Sequence, residues 1–289
     1  MASEAIPGGP AAEPQHGRRL VIAWAVLSAA AVPLVVLVIG PHIPPGSLSA
    51  ESHDQHEINI LLAALATPVL LGIWTSLIYV VTAFRLRGDA IVDGPPLRGQ
   101  PGLQILWVVA TAVVVLSLAV LGTAELLGSS KGAGGGQGPD PLAVPKGAKS
   151  ALQVQVIGQQ WAWTFRYPGY GGVETPQLSL PAGRLVELHV TSLDVSHSFW
   201  AIQLGVKADA IPGSDNVAFV TAHHTGSFEI RCAELCGLWH GHMHNTGAVM
   251  TPAAFTTWIR GQQLENAPAT KTLPPYSKHY FPEPYRRAG

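Results

Sequence analysis

Charge is what this 289-residue chain has least of. Asp, Glu, Lys and Arg make up 12% of it while 47% is hydrophobic, and a soluble domain normally carries about twice that charged share. The deficit points to a membrane. The formal net charge is −1, which excludes the broad basic surface that nucleic-acid binding requires. Only two cysteines occur, Cys232 and Cys236. A disulfide scaffold is thereby excluded, and the five-residue stretch holding both has the spacing of a metal site or redox pair. The sequence also lacks an internal repeat and a glycine-rich loop of the phosphate-cradling kind.

Long apolar runs are what it has. Residues 20–39, 58–84 and 103–124 are free of charged side chains and show no polar face. About 20 helical residues cross the roughly 30 Å hydrocarbon core, so each run is long enough to span. Pro33 and Pro68 fall inside two of them; membrane helices tolerate proline, and kinks are expected there. Arg18 and Arg19 precede the first run, residues 40–57 hold no Lys or Arg, and Arg85, Arg87 and Arg98 follow the second. By the positive-inside rule the N-terminus (1–19) and the 85–102 loop are cytoplasmic, and everything after the third run is extracytoplasmic. The first run also admits a reading as a signal peptide, with Ser-Leu-Ser-Ala at 47–50 ahead of a cleavage point. Its length and the proline-rich turn that follows favour a retained span, and cleavage would leave the later topology unchanged.

Residues 128–150, rich in Gly, Ser and Pro, read as a flexible linker. Beyond them, period-two runs at 152–167, 184–191, 197–202, 216–222, 227–231 and 247–250 alternate with turn signals, as in a β-sandwich. Thr251-Pro252 then opens a short closing helix over 253–260, ended by Gly261. Residues 151–261 make one compact domain, and 262–289, with Pro274, Pro275, Pro282 and Pro284, a proline-rich tail.

The chemistry concentrates in Cys232-Ala-Glu-Leu-Cys236-Gly-Leu-Trp-His240-Gly-His-Met243. Two thiols, an imidazole and a thioether are soft and borderline donors suited to copper. Two thiolates in a tight loop can bridge two ions, and His197, opening the run His-Ser-Phe-Trp, is the candidate second imidazole, with the Glu234 carbonyl and Met243 as weak axial donors. A structural Cys2His2 zinc site and a Cys232–Cys236 disulfide are the competing readings. The Met243 spacing argues against zinc, for which thioether is not a usual ligand, while the oxidising compartment keeps the disulfide open. Met243 also has the plain reading of a core residue.

The residues resemble subunit II of cytochrome c oxidase: Cys-x-Glu-x-Cys-Gly-x-x-His-x-x-Met at 232–243, Asp-Val-Ser-His-Ser-Phe at 194–199, Gly-Val-Lys-Ala-Asp-Ala-Ile-Pro-Gly at 205–213, Gly-Gln-Gln-Trp-Ala-Trp-Thr-Phe-Arg-Tyr-Pro at 158–168, and a span opening Leu-Gln-Ile-Leu-Trp at 103–107. The resemblance implies a membrane-anchored all-β chain, transmembrane helices followed by a cupredoxin-like β-sandwich or barrel. It implies a dinuclear copper centre, CuA, with His197, Cys232, Cys236 and Met243 around one ion and Cys232, Cys236, His240 and the Glu234 carbonyl around the other. Trp161 would receive the electron from cytochrome c, with a core aromatic as the plainer reading, and the Glu234 carboxylate would face a magnesium ion at the boundary with subunit I. The implied partners are subunits I and III, cytochrome c or a similar donor, and the lipid bilayer. The implied reaction carries electrons to haem in subunit I, where oxygen is reduced to water and protons are pumped, and the implied location is a bacterial plasma membrane. A copper module of another respiratory enzyme, such as a nitric oxide reductase, is the rival function. No haem-attaching Cys-x-x-Cys-His is present. His242 and His244 flank Met243 as competing ligands or solvated side chains, His189, His223 and His224 have no motif position, and Glu174, Asp209 and Asp215 are the acids available to steer a donor.

Overall fold

The computed structural model describes residues 15–85, 99–128 and 144–272. The N-terminal 1–14, Arg87 and Arg98 of the basic loop, linker residues 129–143 and the proline-rich stretch from 273 onward lie outside the described residues. The chain divides into two compact units, 1–43 with 57–101, and 44–56 with 102–289.

In the first unit, helix α1 (Gln15–Leu34) runs antiparallel to α2 (Ala50–Ala83). Trp24 Nε1 donates to the Pro68 carbonyl at 2.8 Å, and His16 Nδ1 lies 2.8 Å from the Tyr79 hydroxyl. Pro33 sits just before the helix yields to a π-helical turn, Val35–Ile39, whereas Pro68 lies within an unbroken helix. Large apolar side chains such as Leu37 and Val69 stand exposed on these helices, and α3 (Pro101–Gly128) is equally apolar outside. Among the described residues, three helices are therefore long and apolar enough to cross a membrane.

The second unit begins with the segment between the first two spans. Helix α2 starts at Ala50, eight residues before its apolar run, because Ser49 and Ser52 form a reciprocal cap, each hydroxyl accepting the other's backbone N–H at 3.0 Å. This segment is stitched to the β-domain. Ser49 Oγ donates to the Leu204 carbonyl at 2.7 Å, Gln55 Nε2 to the Gly205 carbonyl at 2.8 Å, and His223 N–H to the Leu48 carbonyl at 2.8 Å. Gly205 has φ +66°, and a Cβ there would lie 2.7 Å from Ser52 N, so a side chain would strike backbone. The inter-span segment thus belongs to the same compact unit as the β-domain.

Among the described residues ten strands follow: β1 (Leu152–Gln159), β2 (Ala162–Tyr167), β3 (Val173–Thr175), β4 (Ser179–Pro181), β5 (Leu185–Ser192), β6 (His197–Ala201), β7 (Val206–Ala210), β8 (Asn216–Thr221), β9 (Gly226–Cys232) and β10 (His244–Met250). They form two five-stranded sheets, ordered β3-β2-β1-β5-β8 and β4-β10-β9-β6-β7. The pairs β1/β5 and β4/β10 are parallel and the rest antiparallel. Alternation places Val154, Val156, Phe165, Leu188, Val190, Phe199, Phe228 and Ile230 in one core. Burying each such side chain contributes about 1.5–3 kcal/mol.

The expected 152–167 run is in fact a hairpin turning at Gln160-Trp161, and β3 and β4 are too short, at three residues, for alternation to reveal. The closing helix also differs from expectation. α4 (Pro252–Thr272), capped by Thr251 Oγ1 on Ala254 N–H at 3.3 Å, runs through Gly261. A glycine costs a helix only about 1 kcal/mol, and Phe255, Ile259 and the Gln263 bond to the Tyr170 carbonyl at 3.0 Å hold this helix in place.

Tyr167 joins the sheets. Its buried hydroxyl donates to the Ser179 carbonyl and accepts the Ser179 N–H, both at 2.9 Å, linking β2 to β4. Burial drives the phenol's pKa well up, so it stays protonated; the Ser179 bond only partly offsets this. Tyr167→Phe leaves both Ser179 groups buried and unpaired, at an expected cost of about 1–3 kcal/mol. A lowered thermal midpoint of the detergent-solubilised chain measures it, and an unchanged midpoint would mean that other groups satisfy Ser179.

Candidate metal centre

Three neighbouring strands of one sheet bring the donors together. His197 opens β6, Cys232 closes β9 opposite Phe199, and Met243 immediately precedes β10. The loop between β9 and β10 is closed by Cys232 N–H on the Met243 carbonyl at 3.0 Å and tied to β6 by Ala233 N–H on the Ser198 carbonyl at 2.9 Å. A single turn of 3-10 helix, His240–His242, returns the chain.

The donor atoms form an unbroken series. His197 Nδ1 lies 3.8 Å from Cys232 Sγ, which is 3.2 Å from the Glu234 carbonyl oxygen and 3.8 Å from Cys236 Sγ. Cys236 Sγ is in turn 3.5 Å from His240 Nδ1 and 3.8 Å from Met243 Sδ. His197, Cys236 and Met243 are buried, Cys232 and His240 half-buried, and the Glu234 side chain exposed. Both cysteines are free, and their sulfurs stand well beyond the roughly 2.05 Å of a disulfide bond. Among the described residues, His197, Cys232 and Cys236 form the group whose donors all lie within 4.8 Å of one another; His240 falls outside that group.

A hydrogen-bonded surround orients these side chains. Asp194 Oδ1 accepts a hydrogen bond from His197 Nε2–H at 2.9 Å, which favours the tautomer that turns the Nδ1 lone pair toward the sulfur. Asp194 also accepts the backbone N–H of Gln160 at 2.6 Å and of Val195 at 2.7 Å. Burial alone would raise this carboxyl, but the bonds from Gln160, His197 and Val195 outweigh it and hold it below the usual carboxylate range. Gln160 reaches on through Nε2 to the Cys236 carbonyl at 2.8 Å. One side chain thus connects the His197 support to the thiol loop. Beneath His197, a Cβ on Gly158 would come within 3.0 Å of the imidazole and 3.1 Å of Trp163, so the ring's seat depends on glycine there.

Trp161 is neither a free surface ring nor a full core residue. It is half-buried against the core, with its indole over Gly237 of the ligand loop and Nε1 buried without a partner among the described residues. The Glu234 side chain borders a pocket of about 200 Å³ together with Ser196, His197, Asp209 and Ile211. His242 packs on Trp239 with ring centroids 5.3 Å apart, and His244 is exposed. The three acids considered for steering are each engaged: Glu174 with Arg166, Asp215 with His189 at 3.0 Å, and Asp209 with Ser198 at 2.6 Å. The rim of the loop is apolar instead, with Leu235, Leu238 and Trp239 exposed. Asp194, Gln160 and Gly158 had no role in the sequence reading, although all lie inside the two motifs quoted above; His197 and Trp161, beside them, were the only pointers.

Burial, and after it the neighbouring Cys232, pushes the metal-free Cys236 thiol up to about 11. A folded-state pKa above the unfolded value contributes stability that is present below the unfolded value and lost as pH rises through the folded one. The metal-free chain should therefore hold its stability up to about pH 9 and lose it as pH climbs through about 11. The part of that loss that vanishes in Cys236→Ser is the thiol's share; identical pH profiles would remove it. Asp194→Ala should weaken metal binding roughly 10–100-fold, measured by chelator competition. Unchanged affinity would mean that packing alone seats His197.

A β-sandwich in one chain with apolar helices, with cysteine, histidine and methionine donors gathered at the strand ends, defines a membrane-spanning protein of cupredoxin-like fold with a candidate metal centre. Residues 173–246 match the family profile for the periplasmic domain of cytochrome c oxidase subunit II. Cytochrome c oxidase subunit 2 of Synechocystis is 31% identical over 83% of this chain and 82% of that protein, and the Thermostichus vulcanus subunit 2 is 27% identical over 86% and 88%. Among solved structures, the periplasmic domain of subunit II of Bradyrhizobium japonicum cytochrome oxidase is 30% identical over 39% of this chain and 94% of that one, with a TM-score of 0.38. The chain belongs to the cytochrome c oxidase subunit II family.

Proposed function

We propose that this chain is the electron-receiving subunit of a respiratory haem-copper oxidase, taking electrons from cytochrome c at a dinuclear CuA centre and passing them to haem in subunit I, where oxygen is reduced to water and protons are pumped. The observation that carries this reading is the donor series with both sulfurs at its middle and one histidine at each end. A single tetrahedral ion needs four donors in one cluster, and His240 stands outside the cluster that holds His197. The sequence instead suits two ions sharing Cys232 and Cys236. His197 and Met243 would complete one, and His240 with the Glu234 carbonyl the other.

When bound, the copper pair supplies one-electron redox chemistry without a change of ligand protonation. The protein's part is to keep the site rigid and nearly dry. Asp194 holds the His197 proton away from the metal face, Gln160 braces Cys236, and the β-ladder fixes the loop ends. Trp161, in contact with the ligand loop, is the aromatic through which the donor's electron would arrive. Leu235, Leu238 and Trp239 offer apolar surface for subunit I or the donor. Glu234 and Asp209, both lining the 200 Å³ pocket, bring hard oxygen donors suited to magnesium. Subunit III and the bilayer are the remaining partners, the three apolar helices anchoring the chain in a bacterial plasma membrane. The working division is 1–19 cytoplasmic, 20–127 spanning, 128–150 linker and 151–261 CuA domain, with the last part extended by α4 to Thr272.

The test is copper content and electron paramagnetic resonance of the purified chain. Two coppers per chain sharing one unpaired electron are expected; a single copper or zinc, or a Cys232–Cys236 disulfide, would end the proposal. Trp161→Phe should keep the copper while slowing reduction by cytochrome c by roughly an order of magnitude or more, since each 1.4 kcal/mol of barrier is tenfold in rate. Loss of copper would assign Trp161 a structural role.

A further inference from the structure

Away from the ligand loop, three imidazoles face one cleft. His53 stands in the first turn of α2, and His223 and His224 follow β8; with Ser47, Ser49 and Ala50 they line a cavity of about 460 Å³. The two walls are locked together by backbone. His223 N–H and His224 N–H both reach the Leu48 carbonyl, at 2.8 and 3.4 Å, and Ser49 bridges to Ala222. Beneath them Ser49 Oγ is tied to the Leu204 carbonyl. The side chains are the part left unheld. All three imidazoles are exposed, and among the described residues none has a side-chain hydrogen bond, ion pair or ring contact. Packing and hydrogen bonding therefore give no reason for histidine at any of the three positions.

We propose that this cleft binds one divalent transition-metal ion of the zinc type through His53, His223 and His224, with water in the fourth position. Neutral imidazole is the commonest protein ligand for such ions, and three protein ligands with one open position is a usual zinc arrangement. In the metal-free conformation the three rings are not gathered as the thiol site is. They close on the ion by turning about their side-chain bonds, while the backbone that carries them stays fixed. The bound ion then joins the start of α2 to the β8–β9 turn, a cross-link between two segments otherwise held by a few hydrogen bonds, and it stabilises the folded chain by mass action. The site is separate from the thiol loop and does not depend on the function proposed above.

The experiment is equilibrium dialysis of the full detergent-solubilised chain, metal-free and with its thiols kept reduced, against zinc chloride, with bound metal counted and thermal midpoints recorded. The parent should take up one zinc more than His53→Ala, His223→Ala or His224→Ala, and its midpoint should rise further with zinc than theirs do. A far-ultraviolet circular dichroism spectrum equal to the parent's shows that each variant is folded. Zinc bound at His242, His244 or elsewhere is common to parent and variants and cancels. Equal zinc uptake by parent and all three variants overturns the proposal, and so does a parent that binds none.

Discussion

The hydrogen bond from Cys232 N–H to the Met243 carbonyl is the constraint on which the rest of the centre depends. It closes the loop between β9 and β10 where the two strands stop pairing, so every donor between those residues hangs from one pinned gate. The adjoining strand, β6, supplies His197 across the same ladder. A loop held at its ends by sheet hydrogen bonds has little freedom to rearrange, so its donor atoms keep their spacing.

Around that gate the chain spends its few charges on structure. Asp194 accepts three N–H groups and orients one ligand, Asp215 pairs with His189, and Glu174 pairs with Arg166. The exposed skin of the loop is left to Leu235, Leu238 and Trp239. In a protein so poor in charge, this surface offers apolar contact rather than the concentrated patch of one sign on which electrostatic steering relies.

The membrane constrains the other end. Helices without a polar face need lipid or partner helices around them, and the first polar turns of α2 give the β-domain a fixed seat through Ser49, Ser52 and Gln55. Gly205 makes that seat possible by letting the β-domain approach within a side chain's width of the helix start.

Composition and local pattern determined the class of this protein: uninterrupted apolar runs, alternating strands, and a dense group of soft donors at 232–243. These are properties of neighbours along the chain, each carried by one segment's physics, so the spans, the sandwich and the thiol loop were legible. The three-residue strands β3 and β4 were not, because too few residues alternate, nor was the passage of α4 through Gly261, which depends on Phe255 and Ile259 finding the core. Only the tertiary structure decided that Asp194 and Gln160 join His197 to Cys236, that the inter-span segment docks on the β-domain, and that His53 lines one cavity with His223 and His224. Apart from Asp194 with His197, those contacts join residues 34 or more positions apart, and no local preference encodes them; packing brings them together.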